Sequence, residues 1–192
     1  SDCAFVSNEA KADGGVDLQS PWTAFNCVFE SNRASVEGGV NASNQDINRQ
    51  WRIMNCTFNN NYSPKGGVAY LNYWTATNCA FSNNRADYGG ILYNYAWAVT
   101  WNISNCAFTN NRASFEGGIV YNFSGNSQGA INTWNANFCT FNNNSANLGG
   151  VLLNKGSSSN SIWNAFRCSF ESNTASAEGG VVYNTNTITW NI

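Results

Sequence analysis

The sequence contains no histidine among its 192 residues, and only 10% of its side chains are charged. Without histidine the chain lacks the commonest general base, the usual partner of a serine or cysteine nucleophile, and the main ligand of most zinc sites. The formal net charge is −2, so no basic surface for nucleic acid is expected. No apolar run approaches the roughly 20 residues that a membrane-spanning helix needs. These deficits predict a protein with no cofactor and no metal, which binds no nucleic acid and does not insert into a membrane.

Asparagine is the residue in excess, with 35 copies in the chain. Hydrophobic residues nevertheless make up 43% of the sequence. This is enough apolar surface to build a core, so the high asparagine content does not predict disorder.

The chain is a tandem repeat of seven copies, and each copy begins at a cysteine. Phenylalanine follows the cysteine by two residues, asparagine follows it by five, and a glycine pair follows it by ten or eleven. A tryptophan precedes each cysteine after the first by five residues. The copies are 23 to 33 residues apart, a period typical of solenoids. The repeated positions are Cys3, Cys27, Cys56, Cys79, Cys106, Cys139 and Cys168; Phe5, Phe29, Phe58, Phe81, Phe108, Phe141 and Phe170; Asn8, Asn32, Asn61, Asn84, Asn111, Asn144 and Asn173; and Trp22, Trp51, Trp74, Trp101, Trp134, Trp163 and Trp190.

Within a copy the apolar residues alternate with polar ones, as at Cys106 and Phe108 or at Ile119 and Tyr121. This period of two is the signature of β-strands. About three short strands are expected per copy: one at the cysteine, one after the glycine pair and one at the tryptophan. The sequence therefore predicts an all-β chain, a parallel β-helix of about seven coils that forms a single segment over residues 1–192.

Each repeated position has an expected structural role in such a solenoid. Phenylalanine and cysteine share one parity and should both point inward, while asparagine should mark a bend and bond to its equivalents along the stack. Buried, unreactive thiols are favoured for the cysteines, although disulfides between neighbouring coils remain an alternative at this spacing. A tryptophan ladder in the core is favoured over a sugar-binding aromatic stripe.

The two ends of the sequence fit each other. Joined, they read T-W-N-I-S-D-C-A-F, which nearly repeats residues 100–108, and Trp190 would then precede Cys3 by the usual five residues. No capping segment is apparent in the sequence, and an open β edge is a template for further strands. A head-to-tail homopolymer or a longer tandem array is therefore expected, so that the main partner is a copy of the chain itself.

Six Asn-x-Ser/Thr sequons make N-linked glycans candidate modifications. Asn41 and Asn122 fall in the segments of variable length between the glycine pair and the next tryptophan, so both are expected to lie in accessible loops. Asn102, Asn55 and Asn143 are further candidates, whereas Asn61 is a ladder residue and should be inaccessible. The longest variable stretch, between Tyr121 and Trp134, is a candidate binding side.

The chain carries seven F-x-x-N motifs, from Phe5–Asn8 to Phe170–Asn173, and seven glycine pairs followed by Val or Ile. This combination resembles the polymorphic outer-membrane protein repeat of chlamydial autotransporter adhesins. The bacterial family prefers Ala after the glycine pair, and the repeated cysteine and tryptophan are peculiar to this chain. The resemblance implies a right-handed parallel β-helix and a secreted or surface-displayed role, adhesive or structural.

The eleven acidic residues are scattered and form no cluster on one face, which argues against the carboxylate pairs of polysaccharide-cleaving enzymes. The favoured function is a non-enzymatic structural repeat unit of an extracellular fibre or surface stalk. The alternative is an adhesin or glycan-binding module, with glycans as partners, and a polysaccharide-active enzyme is less favoured. The expected location is extracellular or at the cell surface.

Overall fold

The computed structural model describes residues 1–43, 50–70, 73–95, 99–124, 131–156, 161–185 and 188–192. These ranges form short β-strands, and none of them contains a helix long and apolar enough to cross a membrane. The first fourteen strands are β1 (Ala4–Val6), β2 (Glu9–Ala10), β3 (Asp17–Leu18), β4 (Trp22–Phe25), β5 (Val28–Glu30), β6 (Arg33–Ala34), β7 (Asn41–Ala42), β8 (Gln50–Met54), β9 (Thr57–Asn59), β10 (Ala69–Tyr70), β11 (Tyr73–Thr77), β12 (Ala80–Ser82), β13 (Arg85–Tyr88) and β14 (Leu92–Asn94). The next thirteen are β15 (Thr100–Ser104), β16 (Ala107–Thr109), β17 (Arg112–Glu116), β18 (Val120–Ser124), β19 (Asn132–Asn137), β20 (Thr140–Asn142), β21 (Ser145–Leu148), β22 (Leu152–Gly156), β23 (Ser161–Phe166), β24 (Ser169–Glu171), β25 (Thr174–Glu178), β26 (Val182–Asn184) and β27 (Ile188–Asn191).

In the described residues, three parallel sheets of seven strands run the length of the stack. The phenylalanine sheet has the order β1-β5-β9-β12-β16-β20-β24, the tryptophan sheet β4-β8-β11-β15-β19-β23-β27, and the glycine-pair sheet β3-β7-β10-β14-β18-β22-β26. Each strand pairs with the strand one repeat away, so Phe81 lies in register with Phe58 and Phe108. The predicted all-β fold, with parallel strands stacked into a solenoid of seven coils, is confirmed.

A fourth sheet lies between the repeated asparagine and the glycine pair, where no strand was predicted. It consists of β13-β17-β21-β25, with β2 and β6 paired at the start of the chain. Its inward residues are alanines such as Ala86 and Ala113, and its register shifts after Ala86. Because alanine is a weak apolar marker and the alternation is broken so soon, the period of two is too short to recognise in the sequence.

The core is a set of side-chain columns, of which the phenylalanine column is the most regular. Successive rings are stacked with centroids 4.6–5.0 Å apart and planes within 3–9° of parallel. The five inner rings, from Phe29 to Phe141, are fully buried. Burying one such side chain stabilises the fold by about 1.5–3 kcal/mol, so this column is a main source of cohesion between coils.

Two corners of each coil are built by residues in the left-handed backbone region. In the second coil these are Asn26 (φ 53°), directly before Cys27, and Ser31 (φ 56°), directly before Asn32. Asparagine tolerates this conformation better than most residues, because its short polar side chain can bond locally. The corners therefore place the repeated cysteine and the repeated asparagine at the start of the next flat stretch.

The third corner of each coil requires a glycine pair, for two separate reasons. The first glycine has a positive φ, +64° at Gly89, and the second lies too close to the next coil to carry a side chain. A Cβ atom on Gly90 would lie 2.2 Å from the carbonyl oxygen of Gly118. Only glycine fits both positions.

Candidate functional site: the ladders and the outer faces

The repeated asparagines form a continuous hydrogen-bonded ladder inside the corner. The backbone N–H and the Nδ2 amide of Asn61 both donate to Oδ1 of Asn84, at 3.0 Å and 2.9 Å. The same Nδ2 also donates to the carbonyl oxygen of Phe29 at 3.0 Å. The pattern repeats from Asn8 to Asn173. Every bond between the ladder asparagines points the same way along the stack, so the structure brings these seven predicted residues together as one polar column.

The repeated cysteines form a similar ladder of hydrogen bonds at the corner that precedes the phenylalanine strand. The backbone N–H of Cys27 donates to Sγ of Cys56 at 3.4 Å, which satisfies a donor that the left-handed corner turns away from the regular ladder. Each inner thiol in turn donates to the carbonyl oxygen two residues before it, as Cys56 does to Met54 at 3.1 Å. The cysteine is thus an acceptor for the coil before it and a donor to its own coil.

All seven cysteines are free, and the five in the inner coils are buried. Parallel strands in register hold equivalent Cβ atoms roughly 4.8 Å apart, whereas a disulfide needs about 3.8 Å. The ladder geometry therefore favours thiols over the alternative of disulfides between neighbouring coils. Interaction with the neighbouring cysteine side chains, together with burial, raises the pKa of Cys56 and of Cys106. Interaction with the side chains of Cys106 and Cys56 lowers the pKa of Cys79.

The tryptophans lie in register along the tryptophan sheet, from Trp22 to Trp190. The inner five are 1–4% exposed, and they pack edge-on against the phenylalanine column, as Trp74 does on Phe81 with centroids 5.4 Å apart. A sugar can stack only on an accessible ring face. The hypothesis of a sugar-binding tryptophan stripe is therefore wrong, because these rings fill the core.

Two of the glycosylation candidates are not in loops. Asn41 lies in β7 and is fully buried, where its Nδ2 donates to Oδ2 of Asp17 at 2.6 Å. Asn122 lies in β18, is 3% exposed and donates to Oδ1 of Asn154 at 2.7 Å. The expectation that both side chains are accessible is wrong. The strands after the glycine pair extend into the segment whose length varies between copies, which was expected to be a loop. Asn61 is fully buried in the ladder, whereas Asn55, Asn102 and Asn143 are exposed.

A second buried asparagine ladder was missed. Within the glycine-pair sheet, each Nδ2 donates to the next Oδ1 at 2.7 Å. Its members are Asn94, Asn122, Asn154 and Asn184. The signal was present in the sequence, since these four asparagines all follow a glycine pair by four residues in consecutive copies. Half of the stretch between Tyr121 and Trp134 that was predicted as a binding side, residues 125–130, lies outside the described residues.

The outer faces carry few charges. Lys65 and Glu37 form an ion pair across coils at 3.0 Å, and Lys155 and Glu116 form another at 3.2 Å. A groove of about 520 Å³ runs over the cysteine corner, lined by amides, hydroxyls, small side chains and Phe138. Among the described residues, no ionisable group other than the buried thiols lines this groove, so they offer no pair of carboxylates there for acid–base chemistry. Within the described ranges no three metal-ligating side chains converge.

One comparison with known proteins gives a match. The family model of the Chlamydia polymorphic membrane protein repeat matches residues 167–185, which hold Cys168, Phe170, Asn173 and the last glycine pair. The resemblance in sequence is thus confirmed for this one coil, and the family is one of proteins associated with the outer membrane or surface. Neither the curated proteins nor the solved structures that were compared with the chain gave a match.

Proposed function

We propose that this chain is a non-enzymatic structural segment of an extracellular fibre or surface stalk, in which β-helical coils stack head to tail. The match of one coil to a repeat of surface proteins supports the location. The structural role is supported by the uniform interface between coils, since the same phenylalanine, asparagine and cysteine columns recur at every step. In such a stack each coil covers the polar and apolar edge of its neighbour.

The observation that carries the proposal is the polarity of the asparagine ladder. Oδ1 of Asn8 accepts no hydrogen bond from the described residues, and the backbone N–H of Asn173 donates none to them. An additional coil beyond Asn173 would supply the acceptor, and an additional coil before Asn8 would supply the donors. The first and last coils are therefore complementary to each other, which is what head-to-tail stacking needs.

The resulting cohesion is distributed along the axis. Each stacked pair of rings adds about 0.5–1.5 kcal/mol beyond the burial of area, and each buried ladder bond adds about 0.5–1.5 kcal/mol. Since these contributions repeat at every coil, a pulling force meets similar resistance at each interface. This mechanism needs no catalytic residue.

The proposal is tested with two copies of the chain joined directly from Ile192 to Ser1. If the junction continues the β-helix, the tandem protein unfolds in one transition, at a higher urea concentration than the single chain, because a new coil interface has formed. The matched control is the same tandem lacking Ile192. A one-residue deletion exchanges the inward and outward faces across the junction, so the control should unfold like the single chain. Equal midpoints for the two tandem proteins would contradict head-to-tail stacking.

A further inference from the structure

The three exposed sequon asparagines differ in what their side-chain amides do. Asn55 and Asn143 are corner residues with φ of 53°, and both use their Nδ2 in surface ladders. Asn55 donates to Oδ1 of Asn26 at 3.1 Å, and Asn143 donates to Oδ1 of Asn110 at 2.7 Å. Each of these nitrogens has one of its two hydrogens engaged at a backbone corner, so only the other hydrogen is open to substitution.

Asn102 is placed differently. It lies in β15, in the middle of the tryptophan sheet, with its side chain exposed on the outer face. Its Oδ1 accepts a hydrogen bond from Nδ2 of Asn135 at 2.8 Å. Its own Nδ2 makes no hydrogen bond to any described residue, so both amide hydrogens are available.

The surroundings of Asn102 also leave room for a bulky substituent. Its register neighbours in the adjacent coils are Thr75 and Asn135, both short side chains. The hydroxyl of the sequon, on Ser104, lies on the same face and contacts Oγ1 of Thr77 at 3.2 Å. No aromatic or charged side chain directly flanks Asn102 in its row of the sheet.

We propose that Asn102 is the residue of this chain that accepts an N-linked glycan. The chemical class of the donor is an oligosaccharide activated as a lipid-linked pyrophosphate. Nδ2 of Asn102 forms a bond to the anomeric carbon, the bond from that carbon to the pyrophosphate oxygen breaks, and the amide proton passes to a base of the transferase. This transfer is a substitution at the anomeric carbon and changes no oxidation state. The product keeps Oδ1 of Asn102 as the acceptor for Asn135, so glycosylation breaks no ladder bond.

This assignment places the glycan on the outer face of the tryptophan sheet, away from the first and last coils. It is independent of head-to-tail stacking, because the outer face stays exposed whether or not further coils are added. Buried Asn41, Asn61 and Asn122 cannot carry a glycan in the folded protein, since each of these side chains is 0–3% exposed.

The test is secretion of the chain from a eukaryotic host, followed by site-resolved mass spectrometry with and without peptide-N-glycosidase. The folded secreted protein is expected to carry a glycan on Asn102 in most molecules. Asn102→Gln and Ser104→Ala should each lower the intact mass by one glycan, and the second variant does so with Asn102 still present. Asn135→Gln, which removes the ladder neighbour but leaves the sequon intact, is the matched control and should keep the glycan.

Circular dichroism of each secreted variant verifies that the β-helix has formed. Folded protein with an unmodified Asn102 would overturn the proposal, as would a glycan on Asn41 or Asn122. Higher occupancy at Asn55 or Asn143 than at Asn102 would overturn the choice of site. Failure of the tandem proteins to stack would leave this result untouched.

Discussion

Replacing Asn84 by alanine tests how much one rung of the buried ladder contributes. Asn84 accepts from the backbone N–H and the Nδ2 of Asn61, and it donates to Oδ1 of Asn111 and to the carbonyl oxygen of Phe58, all within 2.9–3.1 Å. The substitution leaves the backbone N–H of Asn61 buried without an acceptor. It also removes one of the donors to Oδ1 of Asn111, which keeps its bond from the backbone N–H of residue 84.

The expected cost follows from counting these groups. An orphaned buried donor costs about 1–3 kcal/mol, and the loss of the three further buried bonds costs roughly 0.5–1.5 kcal/mol each. We therefore expect Asn84→Ala to lower the free energy of unfolding by about 3–7 kcal/mol, which is a large effect for a single substitution.

Urea unfolding, followed by the fluorescence of the buried tryptophans, gives the difference in stability. The matched control is Asn135→Ala, which removes a half-buried asparagine from a ladder on the outer face, with one bond to Asn102 and one from Asn164. Because water replaces both partners, it should cost less than about 1 kcal/mol. Equal costs for the two variants would refute the claim that burial makes the inner ladder important. An unchanged m-value in both variants is needed for the comparison, since a change in slope would mean that the coils unfold separately.

Gly90→Ala should prevent folding, because its Cβ atom would lie 2.2 Å from the carbonyl oxygen of Gly118, and circular dichroism of the purified variant would show the loss of β-structure. An aromatic disulfide reagent should label the exposed Cys3 at once but label the five inner cysteines only at urea concentrations that unfold the chain; immediate labelling of all seven would contradict their burial. Burial raises the pKa of Tyr93 to about 12, so its neutral form stabilises the fold fully below the ordinary value near 10. That stability should be lost as the pH rises from about 10 through 12, and replacement of Tyr93 by phenylalanine should remove this part of the pH dependence.

The parts of the fold that the sequence predicted are those in which one residue type recurs at one position. Phe81 and Cys79 share a parity, and a ring or thiol repeated once per coil has to stack on its equivalents. The spacing alone therefore predicted the phenylalanine, cysteine and tryptophan columns. The fourth sheet had only a weak marker. Alanine follows the cysteine by seven residues in six of the seven copies, but alanine says little about burial and the register shifts after Ala86.

The candidate glycosylation sites show a different limit of sequence reasoning. Variation in length marks where loops occur, but it does not show at which residue the preceding strand ends. Asn122 shares the parity of Val120 and therefore points inward for as long as the strand continues. Asn102 shares its parity with outward residues, so accessibility follows the strand parity seen in the structure and not the distance from the glycine pair. The alternation of Ile119 and Tyr121 in the sequence did not reveal that parity for Asn122.

The two left-handed corners also bear on how the chain folds. After each corner, a backbone N–H finds its acceptor only on a side chain of the following coil, at Sγ of Cys56 for Cys27 and at Oδ1 of Asn61 for Asn32. An isolated coil would leave both donors unpaired, so no single repeat is a viable folding nucleus. The earliest stable species should be at least two docked coils, and growth from it should proceed by the addition of whole turns.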